Sequence, residues 1–545
     1  MLRIYFKYLM ETQIGEIKIP DVAEAEKTPT VIQLLVVIQM LLALVRSLKD
    51  EIARLKKHSS RPKIRPSCLH SDTPPDQDAS TTSKQKKKRP GSAKRKKTAA
   101  LAIHETTTKA PVETVPPGST FKGHKDIVIQ NIKIEVCNTL YRREIWTTPS
   151  GENLYGPMPP GSFLHFGPEL VSFILYQHYQ NHVTQPLLLE HLREIGIDIS
   201  AGQLSRILTE KKDRFHQEKA DILTAGLAIS DYLQTDDSGA RHQGKNGYVT
   251  VINNPFFAWF RSSPSKSRIN FLECLQGGDT IYRLNEEALA YMTAAQLPAK
   301  PLTIVTSHQG QVFTDQDEWE SSLDQWGVKA KRHRRIATEG ALFGHARETK
   351  LSHNPIIVSD DAKQFDLGNN SRCWIHAERV FDRIIPVSDK QKESIMAVQT
   401  KIWHFYQALK AYKQNPQPEL KSQLWKRFDT DFEAIKDGDA TLNQALERFR
   451  KNKEKLLRVL DHPNLPLHNN RSENDIRDYV KKRKISGGTR SDKGQLARDS
   501  YASLKKTCRK LGIPFWQYLL DRVRGENNIL PLDQIIYQKA ESPPK

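Results

Sequence analysis

Residues 467–493 read LHNNRSENDIRDYVKKRKISGGTRSDK, and this stretch constrains the chain more than any other. One carboxylate, Glu473, sits just inside a helix start. Four consecutive cations, Lys481, Lys482, Arg483 and Lys484, follow it, and Gly487-Gly488 turns the chain into a loop. An acidic side chain facing a strongly basic surface suits a site that holds a divalent metal against a nucleic-acid phosphate. A purely local reading stands beside it. Asn470-Arg471-Ser472-Glu473 has the spacing of a capping box, with Asn470 as N-cap and Glu473 reaching back to its backbone N–H. The block alone leaves both open.

Charge elsewhere favours the first reading. The 545 residues carry 83 Lys and Arg against 63 Asp and Glu, a net charge of +20. Residues 84–97 hold nine cations and no anion, and residues 477–510 hold twelve cations and three anions. Together they account for almost the whole excess, the footprint of a polyanion binder. A solvated tail explains the first run but not the second, which is interleaved with Tyr479, Ile485, Leu496, Tyr501 and Leu504. Five cysteines without CxxC spacing do not make a disulfide framework and point to a reducing compartment. The apolar run Val31–Val45 contains Gln33 and Gln39 and falls short of the ~20 residues needed to span a bilayer. The expectation is a cytoplasmic, nucleoid-associated protein with no membrane partner.

Several segments follow in order. Within residues 1–57, Val31, Ile38, Val45 and Ile52 recur every seven residues, as do Leu34, Leu41, Leu48 and Leu55. β-Branched residues at a with leucine at d predict a coiled-coil helix over about 30–57 and a homodimer or higher oligomer. Residues 58–120 read as a basic disordered linker. The alternation of DIVIQNIKIEV at 126–136 predicts a strand in a small β-rich module, 121–165. Residues 166–228 are helical, with Gln185–Ile195 and Ala201–Leu208 joined by the turn Gly196–Ser200 and capped by Ser200 with Gln203. That pair fits a DNA-reading helix-turn-helix or an ordinary helical hairpin.

Residues 229–525 predict an α/β domain. YLQTDDSG, GYVTVINN and FFAWFRS read as antiparallel strands, and the apolar Pro355–Ser359 runs into Asp360-Asp361. Residues 386–465 are a helical insertion, broken at Asn415-Pro416-Gln417-Pro418, and 526–545 form a tail. Asp236-Asp237, Asp360-Asp361 and Glu473 are then acidic points on strand ends and a helix start. Side chains so placed can converge to hold two Mg²⁺, whose oxygen ligands clamp an in-line phosphoryl displacement.

SDDAKQF, CWIHAERVF, LPLHNNRSENDIRDYVKKRKISGGTRSDKG and ASLKKTCRKLGIPFWQYLLDRV resemble the insertion sequence 66 family of bacterial transposases. TDDSGARH places the chain near one branch of it, and the resemblance covers residues 120–525. It implies a ribonuclease H-like core with a helical insertion before the Glu, and Asp-Asp-Glu chemistry: Mg²⁺- or Mn²⁺-dependent DNA strand cleavage and strand transfer at element ends. Carried over residue by residue, it implies Asp236, Asp360 and Glu473 as the catalytic, metal-holding carboxylates, with Asp237 and Asp361 as neighbours in reserve. Lys481, Lys482, Arg483, Lys484, Arg490 and Lys493 are the expected DNA-backbone contacts. The expected partners are terminal inverted repeats, target DNA and accessory element-encoded proteins. The rival reading on the same fold is an inactive DNA-binding regulator or relic, and a nuclease without strand transfer shares the metal site. The chain departs from the family where many relatives carry a cysteine-rich zinc module: residues 99–122 have no cysteine. No structural zinc is therefore expected. Cys373 and His376 share a helix face and offer half a zinc site, against which a buried Cys packing beside Trp374 is the favoured reading.

Overall fold

The structure, a computed structural model, describes residues 101–541 except 112, 113, 279, 352, 387, 388 and 436–439, with Thr28, Thr30, Val31, Leu34, Leu41 and Leu69 ahead of them. The heptad seam at 30–57 and the basic run at 84–97 lie outside the described residues, apart from those few positions. The strand expected at 126–136 does not pair. Ile127, Ile129, Ile132 and Ile134 are exposed, and the first strands among the described residues form a hairpin of β1 (Ile145–Thr147) and β2 (Asn153–Tyr155). The alternation is real, but a lone strand needs a partner edge and an apolar layer beneath it, and none lies alongside.

From residue 101 onward, helices begin where Pro168 fixes a first turn: α1 (Pro168–Leu175), α2 (Gln185–Glu194), α3 (Ala201–Thr209) and α4 (Asp213–Ala228). The cap on α3 is reciprocal. Gln203 N–H donates to Ser200 Oγ at 3.1 Å, and Ser200 N–H donates to Gln203 Oε1 at 2.9 Å. Leu204, Ile207 and Leu208 bury one face of α3, and Arg206 is its one exposed cation.

The centre is a mixed five-stranded sheet: β3 (Tyr232–Gly239), β4 (Tyr248–Asn253), β5 (Ala258–Ser263), β8 (Ile356–Ser359) and β9 (Asn370–Arg372), in the order β5-β4-β3-β8-β9. β3, β4 and β5 form an antiparallel meander, and β3, β8 and β9 run parallel. Between β5 and β8 come α5 (Arg268–Gln276), a two-stranded β6 (Tyr282–Arg283) and β7 (Val312–Phe313) pair, α6 (Glu286–Ala294), α7 (Ala299–Thr306), α8 (Gln316–Gln325) and α9 (Lys331–Thr349). On that face of the sheet Leu233, Ile252 and Trp259 pack in one core with Phe271, Leu272 and Ala341.

After β9 the chain enters α10 (Trp374–Asp382), α11 (Asp389–Gln414), α12 (Pro418–Asp431), α13 (Ala440–Lys451) and α14 (Lys453–Leu456). Pro418 opens α12, as the Asn-Pro-Gln-Pro break predicts. This insertion has its own core, in which Trp374 stacks on Phe405 at 5.5 Å and donates from Nε1 to the Leu456 carbonyl at 2.9 Å. Trp374 N–H donates to the Leu467 carbonyl at 2.9 Å, so the chain leaves the insertion beside the point where it entered.

Next come α15 (Asn470–Ser486), α16 (Asp492–Leu511), α17 (Phe515–Arg524) and α18 (Leu532–Glu541). Ile476 and Tyr479 of α15 pack on Val249, Val251 and Phe260, the other face of the sheet. The outer edge of β5 would expose unpaired N–H groups. Asp499, Ser503 and Thr507, four residues apart along α16, accept from Ser262, Phe260 and Ala258 N–H at 2.6, 2.9 and 3.2 Å. Side chains of one helix thus replace a missing strand.

Candidate active site

Strand parity separates the two aspartates on β3. Successive side chains point to opposite faces. Asp236 sits opposite Val251, which belongs to the α15 face, so it shares that face with the helix carrying Glu473. Asp237 points the other way. Its carboxylate is ion-paired with Lys266 and accepts from Gln364 Nε2 at 2.7 Å. Asp236 has no ion pair among the described residues. Burial pushes its pKa up to about 7, and the charges of Asp360, Asp237 and Glu473 add to the shift against one backbone N–H bond.

The aspartates after β8 divide similarly. Asp360 Oδ1 accepts from Ala362 N–H at 3.0 Å, which turns the chain away from the strand, and its side chain has no ion pair among the described residues. Asp361 is tied to Arg448 at 3.0 Å and lies 3.5 Å from Arg372. Arg372 itself donates to the Asp360 carbonyl and lies 3.2 Å from Asp366. In each pair the second aspartate is committed to a cation.

Glu473 lies one turn into α15. The capping box left open by the sequence does not form: Asn469 holds the N-cap position without a side-chain cap, and Asn470 is already helical. Buried Asn469 instead donates from Nδ2 to the Thr235 carbonyl at 2.7 Å, and its N–H reaches Cys373 Sγ at 3.2 Å. These bonds fix the start of α15 against β3, beside Asp236. Glu473 Oε1 is buried without a hydrogen-bond partner, 3.7 Å from His376 Nδ1 and 3.9 Å from Arg379 Nη1 on α10. Burial holds the His376 pKa down, against the pull of Glu473 and Asp360. Among the described residues no set of three or more His, Cys, Asp and Glu side chains is drawn together tightly enough to hold a metal ion as it stands.

The donor set nonetheless fits a hard divalent ion. All three side chains offer only oxygens, one is charge-frustrated, and another has an orphaned buried oxygen. Cys373 and His376 do not act as a pair. The thiol is buried against Asn469, with its pKa pushed up to about 11 by burial, and the imidazole faces Glu473.

The six basic residues expected at DNA split in the structure. Lys481, Lys484, Arg490 and Lys493 are exposed. Lys482 is 4% exposed and points inward, donating to the His178 carbonyl at 2.7 Å. It is a correction to the expected set, because every fourth residue of α15 returns to its buried face. Arg483 is half-buried and donates to the Gly239 carbonyl at the end of β3. Gly488 lets this end of the site close: a Cβ there would collide with the Arg241 carbonyl, where Thr489 N–H donates to the same carbonyl at 3.0 Å.

Sequence reasoning missed Lys266, Arg372, Arg379, Arg448 and Asn469, which reach the acidic cluster from five different elements or connections. Only His376 carried a signal, its spacing from Cys373.

The family model described as Transposase IS66 family matches residues 164–283 and 362–497. The uncharacterized protein y4jO of Sinorhizobium fredii (strain NBRC 101917 / NGR234) is 39% identical over 322 residues, which is 58% of this chain and 100% of that protein. Among the described residues no helix is long and apolar enough to cross a membrane. The sheet that carries Asp236, the turn that carries Asp360 and the helix that carries Glu473 fall within or beside the matched segments, and the chain belongs to the IS66 family of transposases.

Proposed function

We propose that this chain is a metal-dependent DNA strand transferase that cuts and joins DNA at the ends of its element, with Asp236, Asp360 and Glu473 as its catalytic carboxylates. The observation that carries the reading is the convergence on Asp236. Burial raises its pKa to about 7, and the charges of Asp360 and Glu473, brought in by a distant strand end and a later helix, add to that rise together with Asp237. Such repulsion is costly unless a cation relieves it. The strand order β5-β4-β3-β8-β9, an antiparallel meander followed by two parallel strands, supports a ribonuclease H-like core.

Asp236, Asp360 and Glu473 would hold Mg²⁺ or Mn²⁺, which when bound supplies charge neutralisation at the attacking and leaving oxygens of an in-line displacement. The chain's own residues do the rest. Lys266 and Arg448 keep Asp237 and Asp361 occupied, so neither competes for the ion. Asn469 seats α15 so that Glu473 stays beside β3. Lys481, Lys484, Arg490 and Lys493 present positive charge to the backbone of the DNA, which adds sequence-independent, salt-sensitive affinity.

The test is a cleavage assay on element-end DNA beside a gel-shift assay. Asp236→Asn, Asp360→Asn and Glu473→Gln should each abolish Mg²⁺-dependent cleavage and keep DNA binding. Asp237→Asn and Asp361→Asn should retain measurable cleavage. Parent-level cleavage by the Asp236 or Glu473 variant would overturn the assignment, and binding without cleavage by the parent would favour a regulator.

A further inference from the structure

A second basic surface begins outside the matched segments. Residues 329–335, Lys-Ala-Lys-Arg-His-Arg-Arg, lead into α9, whose first turn holds no acidic residue and no side-chain cap. Cations at a helix N-terminus oppose the helix dipole, so helix stability does not account for them. Arg334 is spent on Glu320 and Asp324. Lys331, Arg332 and Arg335 are exposed, although Arg335 also lies 3.7 Å from Glu339, and their spacing of three and four residues puts them on one stripe with that residue.

That stripe leads to the active site. Glu339 Oε2 accepts from Tyr291 Oη at 2.9 Å and from Arg268 Nη1 at 3.4 Å. Arg268 Nη2 donates to the Lys363 carbonyl at 2.6 Å. Lys363 is exposed and stands three residues beyond Asp360, while Lys266, two residues before Arg268, pairs with Asp237. The line runs along α5 and α9, on the face of the sheet opposite to α15.

We propose that Lys331, Arg332, Arg335 and Lys363 form a second DNA-backbone track, which holds the duplex on the far side of the scissile phosphate from the α15 cations. The inference rests on the reading of the carboxylates as a DNA-processing centre. A phosphate held there has DNA leaving it in two directions, and the α15 cations lie on the opposite face of the sheet from this line. The partner is fixed by charge: an exposed stripe of cations ending at a phosphate-handling site fits a polyanion of regular charge spacing.

The experiment measures log Kd against log salt for the full chain and a duplex of arbitrary sequence long enough to extend past the site on both sides. The variants are Lys331→Gln/Arg332→Gln/Lys363→Gln, Lys481→Gln/Lys484→Gln/Arg490→Gln, and the two combined. At ~0.9 per phosphate contact, each triple variant should lower the slope by up to ~2.7, and the combination by the sum. A parental slope in the first triple variant overturns the second track. A combined loss no larger than either alone also overturns it, because the two sets would then share phosphates. A parental slope in the α15 variant alone counts against the reading of the main site and leaves the track standing.

Discussion

Replacing Lys482 with methionine tests whether this residue belongs to the fold or to the DNA. Its ammonium is enclosed by α15, α16 and the turn after α1, and donates to the His178 carbonyl at 2.7 Å. Burial, aided by the charges of Arg498 and Lys505, moves its pKa down from the ordinary 10.5 to about 7. The unfolded lysine stays protonated across that interval and the folded one does not. The unfolded state therefore binds more protons, and stability rises with pH until the unfolded pKa is reached. From about pH 7.5 to about pH 9.5 the difference approaches one proton, which at about 1.4 kcal/mol per pH unit amounts to about 2.5 kcal/mol. Urea unfolding of parent and Lys482→Met, followed by tryptophan fluorescence at both pH values, isolates this contribution. Other buried lysines, Lys212, Lys219 and Lys510 among them, contribute equally to both proteins. The parent should gain about 2.5 kcal/mol more than the variant over the interval. The salt dependence of DNA binding should not change. Parallel pH profiles, or a slope lowered by ~0.9, would return Lys482 to the DNA surface and refute the argument.

Other outcomes follow from the same geometry. Asn469→Ala removes the bond to the Thr235 carbonyl and should cost about 1–3 kcal/mol in urea unfolding. Cleavage by that variant should fall while its gel-shift affinity stays near parental, because Glu473 loses its seat and the exposed cations do not. Lys481→Gln/Lys484→Gln/Arg490→Gln should weaken binding to cognate and random duplexes alike, and a loss confined to cognate DNA would mean base contacts. Leu41→Asp with Val45→Asp, argued from the heptads alone, should lower the oligomeric state in sedimentation velocity by placing unpaired charge in an apolar seam. Unchanged sedimentation would mean that the seam packs within one chain.

What could be read from the sequence followed from periodicity. The alternation in YLQTDDSG, GYVTVINN and FFAWFRS, the Pro418 break and the Ser200–Gln203 cap each have a local physical cause, and each forms where that cause lies. Parity could have separated Asp236 from Asp237 only once the α15 face was known, since either aspartate can face a helix. The fate of DIVIQNIKIEV was out of reach for the same reason: alternation specifies a strand's faces but supplies no neighbour. Lys482 looked like its neighbours because four consecutive lysines and arginines carry no mark of which one a helix turns inward. Lys266, Arg379, Arg448 and Asn469 reach the acidic cluster through the tertiary fold, and no spacing along the chain encodes that.

The bond between Trp374 N–H and the Leu467 carbonyl also bears on how this architecture can vary. It ties the two mouths of the helical insertion together, so the distance from β9 to α15 does not depend on how much chain lies between them. Loop-closure entropy grows only with the logarithm of length, and helices added or lost inside the closed loop change it little. The parts of this segment that supply neither the Trp374 pocket, made by Phe405, Phe428 and Phe449, nor the contacts of His376, Arg379 and Arg448 are therefore free to lengthen or to carry a foreign folded unit. Glu473 would stay where it is while the insertion acquired new surfaces, which makes this junction the natural seam for grafting.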